Sequence, residues 1–169
     1  MKIGLIAGSG DLPLYIAREN PKIFVMCIDG FSNSKSFKNS SKTVSLLNPD
    51  EWIKTLNENE VTHIVFAGKI KRPNNLGMSQ DIKVYGMISE ILSVGDNKAL
   101  KIIETFFQKN GFKILPIYSI FKDCFLPKGF YGNNFSKLNF KQYVIKSSEF
   151  GIDLLNTISK YDVGQSLVV

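Results

Sequence analysis

Histidine, cysteine and arginine are all scarce in this chain. In 169 residues there is one histidine, His63, and there are two cysteines, Cys27 and Cys124. His63 has no HxH or HxxxH companion and no neighbouring carboxylate, so it reads as a strand-edge residue rather than a base or a metal ligand. One histidine also gives no Ser/His/Asp or Cys/His nucleophile system. Cys27 lies inside the apolar run KIFVMCI and Cys124 in DCFLP, with neither metal spacing nor a disulfide framework around them. Both read as buried thiols of a reducing compartment. Arginine occurs only at 18 and 72, and the net charge of +6 comes from scattered lysines. With no long basic run and no aromatic-basic RNA-binding motif, nucleic acid is not an expected partner. No stretch approaches the roughly 18 apolar residues of a membrane span. At the start, Gly8, Gly10 and Asp11 interrupt MKIGLIAG before a signal-peptide core forms, and the segment reads as structure.

What is present is material for one buried core. Hydrophobic residues make up 44% of the chain, with thirteen Phe and six Tyr among them. Lys2–Ala7 and Lys22–Ile28 are nearly continuous apolar runs, the signature of strands buried on both faces. Between them DLPLYIAREN predicts a helix, with Asp11 as cap and Pro13 in the first turn. Phe31–Lys42 is a polar loop, and TVSLL predicts a short strand. NPDEWIKTLNENE predicts a helix capped by Asn48, with Pro49 at its first position and Glu51 reaching back to the cap. HIVFAG predicts another buried strand, and DIKVYGMISEILSV a helix. DNKALKIIETFFQKNG carries Ala99, Ile102, Ile103, Phe106 and Phe107 as an apolar stripe, with Asp96 as cap and Gly111 as stop. FKILPI predicts the next strand. A last helix over 139–160 carries Phe140, Tyr143, Val144, Gly151, Leu154, Leu155 and Ile158 on one face, and VGQSLVV reads as a strand start. This alternation predicts a doubly wound, three-layer α/β domain with a mainly parallel sheet and right-handed crossovers.

In such sheets ligands gather at the carboxyl ends of strands. In AGSGDLP, Gly8 and Gly10 let main-chain N–H groups approach a phosphate beside a helix N-terminus. The same glycines equally suit a tight turn that needs them merely to turn, because the third glycine of the dinucleotide fingerprint and the P-loop lysine are missing. In FAGKIKRP, Lys69, Lys71 and Arg72 leave a buried strand together, either to neutralise a pyrophosphate or as a solvated basic loop. In SVGDNKAL, Gly95 and Asp96 open a helix, where Asp96 serves as a cap or, less simply, as a ligand.

Taken together, GLIAGSGDLP, FAGKIKRP, VGDNKALKIIETFFQKNGFKI, LPKG and DVGQSLVV resemble, in order, the UDP-2,3-diacylglucosamine hydrolases of the LpxI type. The resemblance implies hydrolysis of a UDP-diacylglucosamine pyrophosphate to UMP and a diacylated glucosamine 1-phosphate, assisted by a divalent metal such as Mg²⁺. It implies a Rossmann-like, substrate-binding N-terminal domain over 1–160. Residues 161–169 then begin a linker or strand toward a C-terminal half that holds the catalytic aspartate, so no residue here is assigned that role. Substrate contacts implied by matching motifs are Gly8, Ser9, Gly10, Asp11 and Leu12, then Gly68, Lys69, Ile70, Lys71 and Arg72, then Gly95 and Asp96, and Gln165 within the segment of Asp162 and Gly164. Ser9 stands where the family often has Gly, and Lys69 where it commonly has Asn. The implied setting is the cytoplasm, with peripheral membrane contact through a diacylated substrate; homo-oligomerisation stays open. The alternative is a stand-alone nucleotide-binding or regulatory module without catalysis.

Overall fold

Two runs of buried apolar residues, IGLIA and FVMCI, form adjacent parallel strands, β1 (Ile3–Ala7) and β2 (Phe24–Ile28). The computed structural model describes residues 1–71, 82–122, 125 and 140–159. Three further strands, β3 (Ser41–Val44), β4 (His63–Ala67) and β5 (Lys113–Ile114), complete an all-parallel sheet in the order β3-β2-β1-β4-β5. The chain runs outward from β1 to β3, then returns to lay β4 on the other side of β1. That reversal opens a crevice beyond the carboxyl ends of β1 and β4, where ligands of open α/β sheets collect. This is the Rossmann-like, three-layer arrangement that the alternation of strands and helices predicts.

Helix α1 (Leu12–Glu19) follows β1, α2 (Pro49–Glu58) follows β3, and α3 (Ile82–Ser93) and α4 (Asp96–Lys109) follow β4. One face of the sheet buries Leu5, Ala7, Val25, Cys27 and Val65 with Ile16 and Ala17 of α1. The other buries Ile6, Met26, Ile28 and Ile64 with Trp52 and Leu56 of α2 and Phe107 of α4. Fully burying one such side chain contributes about 1.5–3 kcal/mol. Phe107 is the hub of the second core, with ring centroids of Trp52, Phe66, Phe106 and Phe112 at 6.0, 5.8, 5.5 and 6.1 Å. Burial also pushes the Cys27 thiol above its ordinary range.

Several local expectations need correction. Strand β3 starts at Ser41 and ends at Val44, because Ser41 and Lys42 pair with Val25 and Met26 of β2. Ser45 then turns the chain: its carbonyl accepts the Trp52 indole N–H at 2.6 Å and its N–H donates to the Glu51 carboxylate at 3.4 Å. Asn48 does cap α2 through the Glu51 N–H at 3.2 Å, but Glu51 is turned toward Ser45 instead of the cap. Asp11 takes the cap position of α1 with no side-chain bond to the helix, and at α4 the cap is Gly95, with Asp96 already helical. Strand β5 is short because Pro116 has no N–H to continue the ladder, although the Leu115 N–H still reaches Ile64 at 2.8 Å.

Two compact units divide the chain, Met1–Phe125 and Leu126–Val169. In the second lies α5 (Phe140–Ser159), on which Val144, Leu155 and Ile158 are half-buried and Gly151 is buried. Tyr143 and Leu154, expected on that face, are exposed. At about 100° per residue they lie on the flank of the stripe. Cys124, the LPKG loop, the VGQSLVV segment and the expected boundary at 160 and 161 lie outside the described residues.

Candidate functional site

Beyond β1 and β4 the two glycine-bearing loops are locked to each other. The Gly8 N–H donates to the Ala67 carbonyl at 2.8 Å, and the Ser9 and Lys69 backbones exchange N–H···O bonds of 2.8 and 2.9 Å in an isolated antiparallel bridge. The Ser9 hydroxyl donates to the Lys69 carbonyl as well, at 2.9 Å. The loops approach so closely that a Cβ on Gly8 would stand 2.6 Å from the Lys69 oxygen, and one on Gly68 2.7 Å from the Gly8 carbonyl carbon. Gly68 also holds φ +90°, in the left-handed region. Glycine is therefore required at both positions for loop-to-loop packing.

The bridge separates two hollows. One, of about 530 Å³, lies at the ends of β1 and β2 and is lined by Gly8, Gly10, Leu14 and the segment from Asp29 to Asn33, with Ser36, Phe37 and Thr43 behind. Among the described residues Asp29 is the sole charged group in that lining. The segment is tied to the sheet: the Ser32 hydroxyl donates to the Ala7 carbonyl at 2.6 Å and accepts the Ile28 N–H at 3.1 Å. Asn33 caps a short 3₁₀ turn through the Lys35 N–H at 2.9 Å, and the Ser41 hydroxyl donates to the Ser34 carbonyl at 3.1 Å. The second hollow, of about 360 Å³, opens by Gly68 on the opposite face of the sheet, lined by Ile6, Met26, Trp52, Phe66, Ile70 and Ile103, with Lys71 as the one charged residue among those described. The N–H groups of Asp11, Leu12 and Leu14 at the start of α1 have no acceptor among the described residues, and Lys69 and Lys71 are exposed without a carboxylate partner among them.

A family model described as the LpxI N-terminal domain matches residues 2–124. The chain belongs to this family. UDP-2,3-diacylglucosamine pyrophosphatase LpxI of Caulobacter vibrioides is 25% identical over 175 aligned residues, covering 99% of this chain and 61% of that protein. The chain thus spans about three fifths of the length of this curated relative.

Within this LpxI domain the residues singled out from sequence divide into groups. Gly8, Ser9, Gly68 and Lys69 are brought into direct contact. Gly10 lines the polar hollow, and Ile70 and Lys71 line the apolar one. Asp11 faces neither, lining instead a groove of α1 with Tyr15, Arg18 and Lys38, and Leu12 is exposed at the helix start. Gly95 is exposed at the start of α4; the Asp96 side chain, Arg72, Asp162, Gly164 and Gln165 lie outside the description. The sequence motifs do not single out Asp29, Ser32 and Asn33, although an acidic residue closing the second strand is a usable signal. Among the described residues no three His, Cys, Asp or Glu side chains gather as metal ligands.

Proposed function

We propose that this LpxI domain binds the UDP end of a UDP-2,3-diacylglucosamine and contributes that binding to hydrolysis of its pyrophosphate, giving UMP and 2,3-diacylglucosamine 1-phosphate. The observations that support this reading are a polar hollow lined by Gly8, Gly10 and Asp29, the unpaired N–H groups at the start of α1 and two exposed lysines in the loop after β4, in a chain of this family. The N-terminus of α1 suits the pyrophosphate, because its backbone donors and partial positive charge favour an anion. Lys69 and Lys71 add charge where negative charge grows as a phosphoryl group departs, the demand such chemistry makes of a protein. Ile6, Phe66, Ile70 and Ile103, beginning at the same Gly68 turn, suit an acyl chain.

The group that activates water is expected outside these 169 residues, in keeping with coverage of 61% of the relative. Mg²⁺ dependence is a separate proposal, read from the effect of a chelator on the complete enzyme. The proposal includes a cytoplasmic setting, with peripheral membrane contact through the diacylated ligand; among the described residues no helix is long and apolar enough to cross a membrane. The test pairs calorimetry with a pyrophosphatase assay of residues 1–169 on UDP-2,3-diacylglucosamine, with Mg²⁺ or Mn²⁺. UDP binding without turnover is expected. Robust turnover would overturn the need for further residues, and absence of UDP binding would overturn the site.

A further inference from the structure

We propose that Asp29 reads the ribose diol of the bound nucleotide, making the polar hollow the nucleoside pocket and selecting ribonucleotides over deoxyribonucleotides. This rests on the nucleotide-binding reading above and adds a specificity-determining residue to it. Strand β2 is buried throughout and ends at Ile28, so Asp29 is the first residue beyond its carboxyl end, beside β1 and its glycine turn. Its backbone is fixed by an N–H···O bond to Val44 at 2.9 Å, and its Oδ1 accepts the Gly30 N–H at 3.0 Å. Oδ2 makes no bond among the described residues, and the side chain is exposed at the hollow.

The chemistry of the lining decides what that oxygen faces. Among the described residues no lysine or arginine lines the hollow, so a phosphate would meet an unneutralised carboxylate there. A cation held by protein side chains alone would find one carboxylate and no cluster of three ligating side chains among the described residues. A pair of hydroxyl donors fits: a carboxylate is an acceptor only, and a vicinal diol offers it two O–H groups. In doubly wound sheets an acidic residue about 20 positions beyond the glycine turn occupies this place and accepts from the ribose 2′-OH. The phosphates then run from the ribose toward the unpaired N–H groups of α1, away from Asp29. The segment carrying Asp29 is held by Ser32 to β1 and by the Asn33 cap, so the carboxylate stands in place before ligand arrives.

The experiment measures binding of UMP and 2′-deoxy-UMP to the full chain and to Asp29→Asn by calorimetry. Asparagine keeps an oxygen for the Gly30 N–H, and an unchanged thermal melt confirms the fold. The wild type should prefer UMP by roughly tenfold or more, since a hydrogen bond to a charged group contributes about 1.5–3 kcal/mol. In Asp29→Asn that preference should shrink severalfold, with 2′-deoxy-UMP affinity changed much less. Equal affinity of the wild type for both nucleotides, or a preference that survives in Asp29→Asn, would overturn the Asp29 assignment while leaving nucleotide binding intact. Failure of UMP to bind the wild type would overturn both.

Discussion

The two hollows at the end of the sheet lie on either side of one backbone bridge and differ in nearly every physical respect. The polar one is lined by loop segments fixed through side-chain-to-backbone bonds from Ser32, Asn33 and Ser41, and its charge is a carboxylate. The apolar one is lined by the sheet and by α2 and α4, whose side chains also build the larger core, and its charge is a lysine. The first offers acceptors and fixed dipoles to a sugar; the second offers hydrocarbon surface. The proposed substrate, a nucleotide at one end and an acylated sugar at the other, has matching needs. What divides them is the contact of Gly8 with Gly68, so glycine here keeps two loops together and two environments apart.

The contact can be broken. Gly68→Ala combines left-handed strain, about 1–2 kcal/mol, with overpacking against the Gly8 backbone, about 1–3 kcal/mol. Urea unfolding should show a loss of roughly 3 kcal/mol, and UDP binding should fall with it. A fully stable variant would show that the two loops part without cost. The comparison can also be sharpened by a substitution on the apolar side alone. Ile70 is 42% exposed at that hollow, so Ile70→Ser should remove about 1 kcal/mol of hydrocarbon contact. That corresponds to roughly fivefold weaker binding of UDP-2,3-diacylglucosamine, with UDP affinity unchanged. A loss felt equally by UDP would mean that the two hollows do not act separately.

Much of the fold could be read from local signals with a strong physical cause. The runs ending at Ala7, Ile28 and Ala67 are too apolar and too short for anything but buried strands, and Asn48-Pro49 marks a helix start by capping and fixed φ. Strand β3 was harder to place, because SKTV is a polar edge strand whose limits come from pairing with β2. At α1 Asp11 holds the cap position that its residue type indicates, without a side-chain bond to the helix, whereas at α4 chain geometry puts Gly95 at the cap and Asp96 inside the helix. At the candidate site, sequence singles out the loops after β1 and β4 but not the contact between them. The Ser9 and Lys69 N–H groups bond to each other's carbonyls, which no one-dimensional pattern reveals. Asp29 followed by Gly30 reads as an ordinary turn until β2 is placed beside β1.

Nuclear magnetic resonance titration of UDP into ¹⁵N-labelled protein tests the division of labour most directly. The amides of Gly10, Leu12, Gly30 and Asn33 should shift with a common saturation curve, while those of Ile91 and Ile103, lining the apolar hollow, stay in place. Shifts confined to Ile91 and Ile103, or no shift at Gly30 and Asn33 at saturating UDP, would contradict the assignment of the polar hollow to the nucleotide.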